Sequence, residues 1–383
     1  MTQFLRRTGL VAVVVLTLGL TACGSDGDSD GGSGTGSGGD SAAAQEALDV
    51  AFTGQMAEPP TTPTTPPAGI NLWVVSCGEQ APGCSTPVAA AKEAAETVGW
   101  TVKVCDGQLN PDGWGSCVRQ ATSAGADVIV PVGIDCASIQ QPFQEAKDAG
   151  VMVVGGGGAD CDETGGQALW ASEREEVEGL SVEQGFNLMG KLGADWLIGV
   201  TDGQAQVLQL VFTDPLWGDW VRQGFEDELA SCDGCSIVST LEFSNNDVVS
   251  GQLASKFSTA LLQAAKANGV FMPTGAFMTS GIAQAIVSSG RSADLNVITG
   301  LGDPSNYDLI RNDSGQDAIV AQPISWGAWG SIDTAIRVLN GEEPLPQGNG
   351  YQVLDAAHDL PAEGDDFSAG VDFKSDYQKA WGL

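Results

Sequence analysis

The sequence predicts an α/β protein with two lobes, each built on a doubly wound and mostly parallel sheet. Residues 127–162 read as strand, helix, strand, because two short apolar runs flank a stretch with helical spacing that ends at Gly150. Both runs are apolar on both faces, as expected for strands covered by helices on each side. The length of 383 residues allows two such lobes.

The N-terminus has the features of an exported precursor. Arg6 and Arg7 precede an apolar run over residues 9–20, which is too short to span a bilayer. Small residues then lead into Cys23, and the sequence LTAC resembles the lipobox of bacterial lipoproteins. This resemblance implies a signal peptide over residues 1–22 and a lipid on Cys23, whereas a plain signal peptide is the alternative. We expect an extracytoplasmic protein that contacts the cell membrane only through its lipid anchor.

Residues 23–68 are predicted to form the lipidated cysteine and a flexible tether. Residues 24–41 are almost wholly Gly, Ser and Asp, which bury too little apolar area to fold. Residues 42–56 have the composition of a short helix, and the Pro- and Thr-rich stretch after them favours an extended course along the surface. The alternative for this part is more disordered linker.

The first lobe is predicted to hold five strands separated by helices. One helix is opened by Pro87 and closed by Gly99, and another covers residues 114–124. Short connections between such elements imply right-handed crossovers and one parallel sheet, which we end at Ser172. The five strands are placed within residues 70–77, 100–106, 127–135, 151–162 and 168–172.

A second series of the same kind begins at Glu173. It opens with a long helical pattern to Ile198 and continues as alternating strands and helices, among them one helix over about residues 248–268. A helix over residues 326–339 has no strand of its own and is expected to return to the first lobe. Residues 342–360 read as a last crossing between the lobes, and residues 361–383 as a weakly patterned tail. The strands of this series are placed at residues 206–212, 236–243, 269–273, 296–301 and 317–323.

These features together resemble the type 1 periplasmic substrate-binding proteins, the receptors of ABC importers, in their ribose-binding-like branch. The resemblance covers residues 69–360 and is carried by QGFEDELA at 223–230, VITGLGDP at 297–304 and the stretch 319–342. It implies a ligand closed between two lobes that are joined by three chain crossings, and an ABC permease as partner. We expect a monomer without a cofactor. The predicted lobes are residues 69–172 with about 325–342, and residues 173–324 with about 343–360.

The resemblance also assigns positions in the binding site. Sugar-binding members usually place an acid and an arginine where this chain has Gly156 and Gly157. Thr274 stands where an asparagine is common, and Asp303 stands one residue beyond a common aspartate. Gln322 matches the glutamine that these proteins carry near the hinge. The departures leave the identity of the sugar open.

Other candidate ligand contacts follow predicted strand ends, which meet at the ligand-binding edge of such sheets. Aromatic rings bind sugar faces, and Asp, Asn and Gln orient hydroxyl groups. Packing is the alternative for each tryptophan, and solvation for each acid. We predict a sugar or polyol as ligand; a non-sugar ligand, or a sensory role without transport, is the alternative. The candidates are Glu79, Gln80, Gln108, Asp135, Asp160, Trp217, Trp220, Arg222, Asn245 and Trp326.

The chain has nine cysteines, and lipidation of Cys23 leaves an even number for disulfides, as is usual in exported proteins. Proximity favours one pairing among many. A redox role for the CxxC at Cys232 is the alternative, and metal binding is not expected because His358 is the only histidine. The expected pairs are Cys77–Cys84, Cys105–Cys117, Cys136–Cys161 and Cys232–Cys235.

The sequence argues for a binding protein and against an enzyme or a nucleic-acid partner. P-loop and HExxH motifs are absent, and any triad would have to use His358. The glycine run at 155–158 lacks dinucleotide-binding spacing. A glycosidase with two carboxylates is the remaining enzyme alternative. The formal net charge of −33 opposes phosphate binding.

Overall fold

The computed structural model describes residues 39–383, so the predicted signal peptide and Cys23 lie outside the described residues. The described chain contains two sheets with helices on both faces, which confirms the α/β class and the two sheet lobes. Among these residues, no helix has both the length and the apolar composition needed to cross a membrane.

The N-terminal lobe contains four parallel strands in the order β2-β1-β3-β4. The predicted fifth strand near residues 168–172 is reduced to a single bridge between Val154 and Ser172. The backbone N–H groups of Leu169 and Trp170 donate to the Asp160 carboxylate and not to a neighbouring strand. The strands are β1 (Asn71–Ser76), β2 (Thr101–Asp106), β3 (Val128–Val132) and β4 (Met152–Val153).

Three helices connect these strands and bury small and aromatic residues against them. Pro111 occupies the first helical position of α3, and the Asn110 side chain accepts a hydrogen bond from Gly113 N, so the helix begins after a capped turn. The helices are α2 (Pro82–Thr97), α3 (Pro111–Ser123) and α4 (Gln140–Asp148), with 3₁₀ turns at Cys136–Ile139 and Cys161–Thr164.

The C-terminal lobe contains six strands in the order β10-β9-β8-β7-β5-β6, all parallel except β10. The antiparallel edge strand comes from the last crossing predicted over residues 342–360. The strands are β5 (Gln206–Phe212), β6 (Ser236–Phe243), β7 (Gly269–Met272), β8 (Asn296–Gly300), β9 (Ala318–Ala321) and β10 (Gln352–Asp355).

Two helices of this lobe differ from their predicted bounds. The first begins at Val182 and not at Glu173, because Ser181 and Gln184 form a capping box there. The helix predicted over 248–268 is two helices, since Gly251 has φ +70° and ends the first. The helices are α5 (Val182–Val200), α6 (Leu216–Leu229), α7 (Asn245–Val249), α8 (Leu253–Gln263), α9 (Ile282–Ser288) and α10 (Pro304–Arg311), with 3₁₀ turns at Gly275–Ser280 and Ser292–Asp294.

The helix α11 (Ile324–Leu339) packs against α2 of the N-terminal lobe. The tail is more ordered than its weak pattern indicates, since it forms α12 (Phe373–Ala380). Trp329 of α11 stacks on Trp381, which directly follows α12, at 5.5 Å between ring centroids. The tail is thereby part of the apolar core of the N-terminal lobe.

The chain before residue 69 begins with α1 (Gly39–Thr53), which packs against α5 of the C-terminal lobe. Ala51 is fully buried, and Leu48 packs in the same apolar cluster. Gly199 on α5 permits this close approach, because a Cβ there would lie 2.2 Å from Leu48 Cγ. The helical stretch noted in the sequence is therefore part of the folded body.

Residues 54–68, called the strap below, run from α1 to the N-terminal lobe and add a connection between the lobes. Gln55 forms an antiparallel bridge with Tyr351, in the crossing that follows α11. At the other end, Pro67 O accepts a hydrogen bond from Trp100 Nε1 at 2.9 Å. The flexible tether predicted over residues 23–68 therefore does not describe its last thirty residues, 39–68, which are held by tertiary contacts.

All four disulfides are present in the predicted pairing. The Cys136–Cys161 disulfide joins the segments that follow β3 and β4, with Cα atoms 4.9 Å apart. Cys232 and Cys235 close a turn after α6. The remaining two disulfides brace the loops after β1 and β2 at the same edge of the N-terminal sheet.

Candidate functional site: the cleft between the lobes

A cavity of about 570 Å³ lies between the two lobes. Loops after β1, β2 and β3 reach it from the N-terminal lobe, and loops after β5, β7 and β8 reach it from the C-terminal lobe. Ligands of doubly wound folds bind at this edge, beyond the carboxyl ends of the strands. The volume lies within the range of small-molecule sites, about 300–1,000 Å³.

The structure brings nine of the predicted site residues together at this cleft. They come from both lobes and from the crossings between them. The nine are Gln108, Asp135, Gly156, Gly157, Trp217, Asn245, Thr274, Asp303 and Gln322.

The wall formed by the C-terminal lobe is aromatic. Trp217 stacks on Phe186 with ring centroids 5.4 Å apart and meets Phe212 edge-on at 5.6 Å. Phe277 packs edge-on against Phe212 and also lines the cleft. Such a cluster holds the Trp217 ring in one orientation and offers an apolar, π-rich surface to a ligand.

The chain crossings between the lobes, here called the hinge, supply charged side chains at the base of the cleft. The sequence prediction did not include them. Arg174 Nη2 contacts Glu176 Oε1 at 2.8 Å, and Glu176 Oε2 accepts a hydrogen bond from Tyr351 OH at 3.2 Å. Arg174 and Glu176 both line the cleft, and Arg174 Nη1 donates to Gly327 O at 3.1 Å. Burial raises the pKa of Tyr351, so its hydroxyl stays a donor. The sequence signal that could have revealed this part of the site is an arginine in the crossing that follows Ser172.

The two predicted glycines have different roles at the cleft. Gly156 is needed for packing, because a Cβ there would lie 2.7 Å from Pro131 O. Gly157 has φ +98°, and a Cβ on it would lie 3.9 Å from Arg174 Nη2. The missing side chain at Gly157 therefore leaves room in front of the Arg174 guanidinium.

Thr274, Asp303 and Gln322 use part of their hydrogen-bonding capacity on the protein itself. Asp303 Oδ1 accepts a hydrogen bond from Ser305 N at 2.8 Å and thereby caps the N-terminus of α10. The Thr274 hydroxyl accepts from Ala276 N at 3.2 Å. Gln322 Nε2 donates to Asn349 O at 3.3 Å, and its amide oxygen has no hydrogen-bond donor among residues 39–383.

Comparison with known proteins agrees with this geometry. A family model described as a periplasmic binding protein domain matches residues 74–343. The chain belongs to the periplasmic binding protein family. Members of this family are extracytoplasmic solute-binding proteins. No match was found among curated protein sequences.

Solved structures similar to this binding protein have the type 1 fold. A galactofuranose binding protein is 18% identical, with a TM-score of 0.61 over 82% of this chain and 99% of that one. The arabinose ABC transporter component of Shewanella sp. ANA-3 is 19% identical, with a TM-score of 0.62 over 82% and 97%. A glucose-galactose binding protein from Geobacillus stearothermophilus is 20% identical, with a TM-score of 0.64 over 77% and 100%. At these identities the likeness shows the fold.

Six of the predicted residues of this binding protein do not line the cleft. Glu79 and Gln80 are exposed in the loop after β1, where Glu79 N donates to Asp106. Arg222 pairs with Asp219 at 3.0 Å on the outer surface of α6. These three side chains point to solvent because the Cys77–Cys84 loop and the outer face of α6 carry them away from the cavity.

The other three are held inside the protein. The Asp160 carboxylate accepts from the backbone N–H groups of the segments beside it, which places it behind the cleft wall. Trp220 packs beside Phe186 in the core of the C-terminal lobe. Trp326 is fully buried and donates to Gln347 O at 2.8 Å.

Within the described residues, one cluster combines potential metal ligands: Cys136, Asp160 and Cys161. The two cysteines form a disulfide, and the Asp160 carboxylate is occupied by backbone donors. This cluster therefore does not offer a metal site.

An acidic group at the first crossing makes stability depend on pH. Burial, with a smaller contribution from the nearby Glu163, Asp160 and Asp162, raises the pKa of Glu173 to about 7, against one hydrogen bond from Asp160 N at 2.7 Å. The folded protein therefore binds this proton more tightly than the unfolded chain. The stabilisation of the folded protein by this bound proton is fully present below the pKa that Glu173 has in the unfolded chain. It is lost as the pH rises through 7.

We expect Glu173→Gln to stabilise the protein at pH 8 by about 1–2 kcal/mol, since glutamine keeps the acceptor for Asp160 N without the charge. At pH 4.5 the two proteins should unfold alike. Urea unfolding at both pH values measures the difference. An equal effect at the two pH values would contradict the assignment.

Proposed function

We propose that this binding protein is a lipid-anchored receptor that captures a sugar or polyol between its lobes and delivers it to an ABC importer. The enclosed cleft carries the proposal, because it joins an aromatic wall at Trp217 to a polar floor at Arg174, Glu176 and Gln322. Aromatic faces suit the C–H surface of a sugar ring, while guanidinium, carboxylate and amide groups orient its hydroxyls.

The hinge pair supports a sugar ligand despite the two glycines after β4. The guanidinium of Arg174 lies beside the space left by Gly157, and Glu176 lies beside Arg174. Together they offer a donor and an acceptor near the positions where sugar-binding relatives place an acid and an arginine. The solved structures with this fold are described as binding galactofuranose, arabinose and glucose or galactose.

A non-sugar ligand with an aromatic ring, such as a nucleoside, is the second candidate. The observation in its favour is the apolar character of both walls: Leu109 and Trp114 face the cleft from one lobe, and Phe186 and Phe277 from the other. A thermal-shift screen of the mature chain against sugars, polyols, nucleosides and amino acids separates the candidates. A ligand at 100 times its Kd should add about 2.7 kcal/mol of stability. A shift with nucleosides and none with sugars would exclude the sugar proposal.

We expect Trp217→Ala to weaken binding of the ligand found in that screen by about tenfold or more, because a stacking surface of the cleft is lost. Trp220→Ala is the matched control: it is on the same helix, equally buried at 9% exposure, and packs near the same Phe186, but does not line the cleft. Titration calorimetry measures both. Equal loss of affinity in the two variants would show that Trp217 acts only through packing.

The lipid anchor is proposed from the sequence around Cys23. We expect Cys23→Ala to abolish labelling of the protein by a radioactive fatty acid. The protein should then leave the membrane fraction on extraction with salt-free buffer. Full labelling of the variant would show that the lipid is attached elsewhere.

A further inference from the structure

Asp135 connects the two lobes beside the cleft. It follows β3 in the N-terminal lobe, and only 7% of its surface is exposed. Its Oδ1 accepts a hydrogen bond from Ala159 N at 3.1 Å in the same lobe. Its Oδ2 accepts one from Leu216 N at 2.8 Å in the opposite lobe. Each carboxylate oxygen of Asp135 thus already accepts a backbone N–H group. The side chain is therefore committed to the protein and is not left free to bind a ligand.

Leu216 begins α6, and this helix has no N-terminal cap of its own. The preceding residue is Pro215, whose side chain makes no capping hydrogen bond. The first N–H groups of a helix lack partners within the helix and lie at the positive end of its dipole. A carboxylate is a favourable partner at that position. Asp135 provides this carboxylate from the other lobe.

We infer that Asp135 is a positioning residue, which holds the lobes in the closed arrangement by capping α6 across the cleft. Opening the hinge separates the Asp135 carboxylate from Leu216 N and returns this N–H group to water. The capped helix carries Trp217, so the contact also fixes the aromatic wall of the cleft. The inference does not depend on which ligand the protein binds.

Other contacts around Asp135 agree with this role. The Cys136–Cys161 disulfide fixes the segments that carry Asp135 and Ala159. Ala159 is 1% exposed and packs in the apolar cluster of the C-terminal lobe. Burial raises the pKa of Asp135, whereas hydrogen bonds from Leu216 N and Ala159 N lower it. The charged carboxylate therefore gains from both donors, and it has both only while the lobes are closed.

The test removes each partner separately in the full chain. Asp135→Ala removes the acceptor. Leu216→Pro removes the donor, since proline is tolerated at the first position of a helix and Pro215 has the extended backbone (φ −82°, ψ 145°) that a following proline requires. Asp219→Ala is the control, because Asp219 is in the same helical turn but pairs only with Arg222.

Nitroxide labels on Gln80→Cys and Ser250→Cys, exposed positions in opposite lobes, report the distance between the lobes. In detergent and without ligand, each single variant should raise the ratio of open to closed molecules by about tenfold, the effect of one charge-assisted hydrogen bond. The double variant should open no further than the more open single variant, because both changes remove the same bond.

Two results would overturn the inference. One is a distance distribution like that of the parent in both Asp135→Ala and Leu216→Pro. The other is an equal shift in Asp219→Ala, which would assign the effect to the general charge of the helix terminus. If Asp135→Ala fails to fold, Leu216→Pro decides alone, since it leaves the carboxylate and the N-terminal lobe unchanged.

Discussion

Replacing Asp333 by alanine should destabilise the protein by about 3–5 kcal/mol, the largest loss that we expect from a single substitution. Asp333 and Arg337 are both buried in α11, with Asp333 Oδ2 2.7 Å from Arg337 Nε. The carboxylate also accepts hydrogen bonds from Trp381 Nε1 at 2.9 Å and from Gln347 Nε2 at 3.3 Å. Removing it leaves the buried guanidinium with only the more distant Glu342 carboxylate, 3.6 Å from Arg337 Nη1, and leaves the Trp381 Nε1 donor without its acceptor.

Urea unfolding measures this loss, and Asp376→Ala is the control. Asp376 pairs with Lys379 at the surface, so its removal should cost less than about 1 kcal/mol. The double variant Asp333→Ala with Arg337→Met should be more stable than Asp333→Ala alone, because no uncompensated charge remains. A double variant less stable than Asp333→Ala would show that Arg337 acts mainly through its bond to Thr62 O in the strap.

Gly350→Ala should lower the free energy of unfolding by about 3 kcal/mol and release the strap from the crossing that contains Tyr351. A Cβ on Gly350 would lie 1.6 Å from Gln55 O, which is a backbone atom and cannot rotate away. The strap can accommodate the methyl group only by moving off the crossing that contains Tyr351. Gly54→Ala should act similarly, since its Cβ would meet Tyr351 O at 2.2 Å. Overpacking costs about 1–3 kcal/mol, and these sites should lie at the upper end of that range because backbone must shift.

The control for Gly350→Ala is Gly185→Ala in α5. A Cβ on Gly185 would lie at ordinary contact distance from Tyr351, 3.5 Å, so this variant should be neutral or slightly more stable than the parent. Limited proteolysis should cleave residues 54–68 faster in Gly350→Ala and not in Gly185→Ala. Unchanged cleavage together with unchanged stability would mean that the strap adjusts without loss.

The strands and the disulfides were predictable because their signals are local. The core of β3 is a continuous apolar run, and each cysteine pairs with one nearby in the chain or at an adjacent strand end. Gln108, Asp135, Trp217 and Asn245 followed from the same logic, since strand ends meet at one edge of a sheet. The other five cleft residues came from the family resemblance.

The features that sequence did not predict depend on distant contacts. Tryptophans on α6 have the same local signal at positions 217 and 220, yet only Trp217 faces the cleft. Trp326 seemed equally suited to a ligand, but the return of the tail as α12 encloses it. Arg174 becomes part of the site only because three crossings meet beside it. None of these outcomes is encoded within a window of neighbouring residues.

The ordered strap and α1 shorten the stretch of chain that would connect the proposed lipid on Cys23 to the folded protein. With Cys23 as the anchor, residues 24–38 alone link the membrane to α1, a span of at most about 55 Å when fully extended. Compared with the tether first expected from composition, this shorter linker would raise the effective concentration of the receptor near the proposed permease by about fivefold, because that concentration falls with the −3/2 power of linker length. Because α1 packs on α5, the proposed tether would join the folded body on the side of the C-terminal lobe.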